Sequence, residues 1–195
     1  KNYVGTRMQY DGKLREYMAL ISEMEEKYPR YYKLKYDTRM VPVNEIQKHI
    51  LVEKIINHYG HDLSGKKIAV WGLAFKPNTD DIREAPSLYI IEDLLNAGAE
   101  IIAYDPEGMP NVQQYFSSLP EDKKARLHFV DGYYKALEGA DFLAILTEWT
   151  EFRTPDFERV KSLLKEAVIF DGRNLYDLDV VKEAGFYYNS IGRKT

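Results

Sequence analysis

Four residues carry the chemistry that this 195-residue sequence offers most clearly: Phe75, Lys76, Arg83 and Arg173. The first three lie in Gly72-Leu73-Ala74-Phe75-Lys76-Pro77-Asn78-Thr79-Asp80-Asp81-Ile82-Arg83-Glu84-Ala85-Pro86-Ser87. A lysine in such a loop supplies a point charge to phosphate or a hydrogen bond to a sugar hydroxyl, and a phenylalanine supplies an apolar wall. The plain alternative is a surface lysine beside a core phenylalanine. Asp80, Asp81 and Arg83 read either as a solvated turn with a local ion pair, worth about 0–1 kcal/mol if exposed, or as an acidic pair around Mg²⁺ in a phosphoacceptor domain. No other feature supports the second reading. Arg173 follows a glycine in Asp171-Gly172-Arg173-Asn174, where a guanidinium fork can recognise phosphate or carboxylate at two points and the glycine allows close approach.

Two further groups end predicted strands. Thr147-Glu148-Trp149 with Phe152 is one, in which Trp149 reads as core more readily than as a ligand stack. Tyr104-Asp105-Pro106 is the other. An acidic residue there binds ribose hydroxyls in dinucleotide folds, yet only Gly72 stands of the three glycines that such folds need. Asp105 is therefore read as a structural turn, and the long loop 72–87 as one that holds an anion by side chains. The sequence has no cysteine, which removes thiolate nucleophiles, thiolate metal sites and disulfides. No catalytic residue and no metal ligand is assigned.

These loops need elements to hold them. From about residue 66 onward, short β-branched runs alternate with helical patterns, the mark of βαβ units on a parallel sheet. Strands are predicted at 66–71, 100–104, 127–130, 141–146, 167–170 and 186–190, and helices at 86–96, 132–138, 156–165 and 178–184. Pro86 suits a first helical turn and Gly98 lies just past the end of that helix. The stretch 111–126 is read as helix. The expected fold is α/β: a doubly wound, mostly parallel six-stranded Rossmann-like sheet preceded by a helical extension.

Upstream, Ile46, Ile50, Leu51, Ile55 and Ile56 stand close to helical spacing, predicting a long helix over 43–59 that leads into the first strand. The expected organisation is an unplaced, partly helical segment over 1–42, a connecting helix over 43–60 and the α/β domain over 61–195. Within the first segment, 11–27 has a helical pattern. The tyrosine- and lysine-rich stretch 28–39 reads as an interface segment rather than as a platform for single-stranded nucleic acid.

The net charge of −4 and sequence pI of about 5.7 argue against a nucleic-acid partner, which selects for basic excess. The apolar runs fall far short of the ~20 residues of a membrane span, and no signal-peptide pattern opens the sequence. A cytoplasmic protein is expected.

Taken together, segment 72–87 resembles the signature of UDP-glucose 6-dehydrogenases. Tyr104-Asp105-Pro106, Thr147-Glu148-Trp149, Asp171-Gly172-Arg173-Asn174 and Ser190-Ile191-Gly192-Arg193 recur in matching order. The similarity begins at Val43-Asn44-Glu45-Ile46-Gln47-Lys48, and the first 40 residues do not share it. The resemblance implies oxidation of UDP-glucose to UDP-glucuronate in two steps with reduction of two NAD⁺. It implies that an amino-terminal domain holds NAD, that a central helical region carries a catalytic cysteine, and that the carboxy-terminal domain closes over the UDP-sugar. By resemblance, Phe75, Lys76 and Arg173 contact the UDP-sugar and Arg83 reaches NAD. Lacking the cysteine and the glycine fingerprint, this chain is expected to be a fragment, inactive alone. The resemblance also implies a homodimer, since the central helical region forms much of a dimer interface in that family and an exposed apolar helix stripe seeks a partner. The alternatives are the same domain of a UDP-N-acetylmannosamine or GDP-mannose dehydrogenase, or a non-catalytic nucleotide-binding or assembly module.

Overall fold

The computed structural model describes residues 43–193, with side chains from residue 48 onward. The predicted helix at 11–27 and the tyrosine-rich stretch 28–39 lie outside the described residues. From Val43 the chain forms one compact unit. Its elements are α1 (Val43–Tyr59), β1 (Lys67–Trp71), α2 (Pro86–Asn96), β2 (Glu100–Tyr104), α3 (Met109–Tyr115), α4 (Glu121–Lys124), β3 (Leu127–Phe129), α5 (Tyr133–Leu137), β4 (Phe142–Ile145), α6 (Phe157–Leu163), β5 (Val168–Asp171), α7 (Leu178–Glu183) and β6 (Tyr187–Ser190). Short 3₁₀ turns span Phe116–Ser118 and Thr150–Phe152.

All pairings are parallel and the strand order is β3-β2-β1-β4-β5-β6. Six strands were expected, and β2 and α2 occupy the ranges read from sequence. The stretch 111–126 is helical in two pieces, because the chain turns extended at Leu119 and Pro120 between them. Proline there cannot carry a helix forward through its own N–H.

Strand side chains alternate between two cores, as a period of two demands. Ile68, Val70, Phe142, Ala144, Val168 and Phe170 face one layer. Ala69, Trp71, Leu143, Ile145 and Ile169 face the other. α1, α2 and α3 cover the first face, and α5, α6 and α7 the second. Being buried on both sides explains why the strands read as short continuous apolar runs.

Part of the α1 stripe is covered within the chain. Leu51, Val52, Ile55 and Ile56 are buried in the first core with Leu88, Leu94 and Phe170. At the end of the helix, Tyr59 stacks on Phe142 with ring centroids 4.7 Å apart. Full burial of each aliphatic side chain contributes about 1.5–3 kcal/mol, so these four residues are satisfied within the chain. A helical period shows that a helix has an apolar face; it does not show what covers it.

Candidate functional site

The strands end in step. Trp71 lies opposite Tyr104 on one side and Ile145 on the other, Ile145 opposite Asp171, and Asp171 opposite Ser190. The residues that follow therefore share one rim at the carboxyl edge of the sheet. The chain leaves β1 toward β2 on one side and reaches β4 on the other, so the switch point of the topology lies between β1 and β4. Ligands of open α/β sheets bind beyond such a point.

Gly72 sits at that point with φ +88°. A Cβ there would stand 2.5 Å from Thr147 Cβ and 2.6 Å from Thr147 N, so the glycine permits both a left-handed backbone and contact between two loops. Thr147 Oγ1 donates to the Ala74 carbonyl at 2.6 Å, and Ser87 Oγ to the Leu73 carbonyl at 2.5 Å.

Asp105 closes the same cluster. Its carboxylate is wholly buried and accepts from the backbone N–H groups of Leu73 at 2.6 Å, Ala74 at 3.0 Å, Glu107 at 3.0 Å and Gly108 at 2.6 Å, and from Trp149 Nε1 at 2.9 Å. This tests the fit of a dinucleotide. The amides of the loop after β1 that would cradle a pyrophosphate are already spent on Asp105, and Thr147 fills the space beside Gly72. The residues here do not form a dinucleotide cradle, in keeping with the missing glycines. Trp149 is core, as read from sequence, and its ring N–H serves the lock.

Further along the rim, Asp171 organises the loop after β5. It accepts from the backbone N–H groups of Arg173 and Leu175 and from the Tyr188 hydroxyl, each at 2.7 Å. Gly172 N–H donates to the Ile145 carbonyl at 2.9 Å, and a Cβ at residue 172 would come within 3.1 Å of that oxygen. The Arg173 guanidinium engages Glu148 at two points, Nη2 to Oε1 at 2.8 Å and Nε to Oε2. Sequence reasoning anticipated a two-point grip by Arg173 but not that a carboxylate of the neighbouring loop occupies one edge of the fork.

The hydrogen bonds from Arg173, and the positive charges of Arg173 and Arg153, hold the Glu148 carboxyl below the usual carboxylate range. A depressed carboxyl stabilises the fold above its unfolded pKa of about 4.3, and that contribution disappears as pH falls through the folded value. The pair is part-exposed, so its contribution is on the order of 1 kcal/mol or less. Urea midpoints of the wild type and Glu148→Gln should therefore keep a constant gap from neutral pH down to about pH 5 and converge below it. A gap that widens on acidification would contradict this assignment.

Phe75 is 46% exposed, which rules out the core alternative for it. Lys76 is exposed and, among the described residues, has neither a hydrogen-bond nor an ion-pair partner. The Arg83 side chain is 87% exposed and bonds Asp81 at two points, 2.9 and 2.7 Å. That contact, above all its hydrogen bonds, draws the Asp81 carboxyl down to about 2. The local ion pair foreseen for this turn is present. Asn111 Nδ2 donates to the Asp80 carbonyl at 2.9 Å.

Two cavities open on the rim loops. One, about 350 Å³, is lined by Glu148, Arg153, Gly172, Arg173, Asn174 and Leu175. The other, about 500 Å³, is lined by Thr79, Asp80, Asp81, Ile82, Arg83 and Asn111. Arg173 and Arg83 thus face separate cavities, and Phe75 and Lys76 line neither of these two. Arg153 and Asn111 escaped the sequence reading, and Glu148 stood in it only as part of Thr147-Glu148-Trp149, without a role of its own. The available signal for Arg153 was its place four residues past Trp149, in a loop already marked as chemically loaded. Among the described residues, no cluster of three or more acidic or histidine side chains is placed to hold a metal, and no helix is long and apolar enough to cross a membrane.

An all-parallel, doubly wound sheet whose charged loops meet at a switch point defines a Rossmann-like α/β domain. Comparison with known proteins narrows this class. Residues 69–178 match the profile described as "UDP-glucose/GDP-mannose dehydrogenase family, UDP binding domain". The chain belongs to that family. A UDP-glucose 6-dehydrogenase of Rhizobium meliloti (strain 1021) is 44% identical over 153 residues, 78% of this chain and 33% of the relative. One from Pseudomonas aeruginosa is 41% identical over 150 residues, 77% of this chain and 33% of the relative. Among solved structures, a UDP-glucose dehydrogenase from Pyrobaculum islandicum aligns with a TM-score of 0.58 at 27% identity, covering 75% of this chain and 30% of its own. A UDP-D-ManNAc dehydrogenase from Pyrococcus horikoshii aligns with a TM-score of 0.56 at 25% identity, covering 83% and 35%. The chain spans about a third of the length of the curated relatives it matches.

Proposed function

We propose that this chain is the UDP-sugar-binding part of an NAD-dependent UDP-glucose 6-dehydrogenase, and that the oxidation of UDP-glucose to UDP-glucuronate is carried out with residues outside it. Residues 61–195 would be the UDP-sugar-binding domain, joined to the rest of the enzyme by 43–60. The names of the relatives at 44% and 41% identity support the substrate. The observation that carries the reading is the rim itself, where Arg173 is fixed by Glu148 beside a cavity at the switch-point edge.

Chemically, Arg173 offers guanidinium N–H groups to a phosphate, Lys76 an unpaired ammonium, and Phe75 an exposed ring against which a sugar or base can lie. Arg83 would face NAD, which supplies hydride acceptance when bound. Its exposure supports that role, and the occupied amides of Leu73 and Ala74 support a main NAD site outside these residues. With no cysteine in the sequence, no covalent thioester route runs on these residues, so the chain alone is expected to be inactive. The same reading places the protein in the cytoplasm, with neither nucleic acid nor membrane as partner. A homodimer of the intact protein remains part of it through family resemblance rather than through the α1 stripe, and sedimentation checks it.

Calorimetry with UDP-glucose, UDP-N-acetylmannosamine and GDP-mannose tests the substrate. UDP-glucose should bind with the highest affinity. Preference for another sugar nucleotide would move the chain to a sister activity, and failure of all three to bind would favour a non-catalytic assembly module.

A further inference from the structure

We propose that Arg153 is the second cation of the rim cavity, so that Arg153 and Arg173 together grip the diphosphate of the nucleotide while Glu148 keeps Arg173 aimed. This deepens the UDP-sugar reading and rests on it for the identity of the ligand.

Arg153 and Arg173 line the same cavity from different loops, one after β4 and one after β5. A guanidinium carries five N–H donors. Arg173 commits two of them to Glu148 and retains three. Arg153 commits no side-chain donor to any hydrogen bond or ion pair among the described residues. The cavity is therefore lined by two positive charges against one carboxylate, with eight N–H donors that no hydrogen bond among the described residues takes up. Such a donor set answers a di-anion with several acceptor oxygens better than a single carboxylate or a neutral sugar.

The position of Arg153 is built rather than incidental. It caps the 3₁₀ turn Thr150–Phe152, its N–H donating to the Thr150 carbonyl at 3.1 Å. The residue before it, Phe152, is wholly buried and stacks on Trp71 with ring centroids 5.1 Å apart. The Phe152 carbonyl accepts from the Tyr176 hydroxyl at 2.6 Å. The backbone under Arg153 is thus pinned to the core while its side chain is exposed at the cavity. At about 350 Å³ the cavity lies at the small end of small-molecule sites, which run from roughly 300 to 1,000 Å³. That suits the anionic part of a nucleotide, leaving base and sugar to reach beyond it.

The test is calorimetry on the 195-residue chain with inorganic pyrophosphate, UDP and uridine, comparing the wild type with Arg153→Gln, Arg153→Lys and, as a surface control, Arg159→Gln. Arg159 lies over the Tyr134 ring at 4.0 Å and lines neither rim cavity. Arg153→Gln is expected to weaken pyrophosphate and UDP by roughly 10- to 100-fold, the effect of losing charge-assisted hydrogen bonds, and to leave uridine unchanged. Its UDP affinity should also fall less steeply with ionic strength than that of the wild type. Arg153→Lys should recover part of the loss, and Arg159→Gln should behave as wild type. Equal UDP affinity in wild type and Arg153→Gln overturns the inference and leaves the nucleotide reading standing. Arg153-dependent binding of pyrophosphate with no gain for UDP keeps the anion site and overturns the nucleotide reading. No binding of either ligand by the wild type overturns both.

Discussion

Replacing Asp105 by asparagine should destabilise the domain by roughly 3–6 kcal/mol, because hydrogen bonds to a charged group contribute about 1.5–3 kcal/mol each and a buried donor left unpaired costs about 1–3 kcal/mol. Five N–H donors converge on that carboxylate from three loops. Asparagine keeps one acceptor oxygen and turns an NH₂ toward groups that are themselves donors. Whichever way the amide is oriented, either the loop after β1 or the turn after β2 loses its partner. A loss of this size is a large share of a domain's typical 5–15 kcal/mol, so urea unfolding should show a strongly lowered midpoint. A second consequence separates the lock from general stability. In conditions where Asp105→Asn stays folded, UDP affinity should still fall, since Leu73 and Ala74 directly precede Phe75 and Lys76. A midpoint within about 1 kcal/mol of wild type would show that the donors find other partners.

Gly72→Ala should cost roughly 3 kcal/mol or more. An alanine at φ +88° carries the left-handed penalty of about 1–2 kcal/mol, and its Cβ would lie 2.5 Å from Thr147 Cβ, forcing the two loops apart with a further 1–3 kcal/mol or so of overpacking. Gly60 supplies the internal control. Its φ is +91°, yet a Cβ there meets nothing within 4 Å. Gly60→Ala should therefore show the backbone penalty alone, and the difference between the two substitutions in chemical denaturation measures the closeness of the loops at the switch point. Equal costs would mean that Thr147 yields freely.

Much of this molecule was legible in one dimension. Strand and helix positions follow from local pattern: Pro86 and Gly98 bracket α2, and the doubly buried strands announce themselves as short apolar runs. The loops with chemical load were also recognisable, because ligands of such sheets gather beyond the carboxyl ends and the loaded residues fall there. Asp105 was correctly taken for a structural residue.

The sequence by itself determined the element order, the parallel α/β class and which loops carry charge, since each of these depends on residues near one another in the chain. Tertiary structure alone decided which charges of different loops meet. Arg173 announced a two-point grip, but that Glu148, 25 residues earlier, holds it follows from β4 and β5 lying side by side. Arg153 shares its cavity for the same reason. Phe75 stood undecided between core and ligand wall until packing left it exposed, and the α1 stripe awaited the sheet face that covers it. Asp105 is the clearest instance: its role depends on donors 31, 32 and 44 residues away. Pairings of that separation are set by strand order, and no local periodicity encodes strand order.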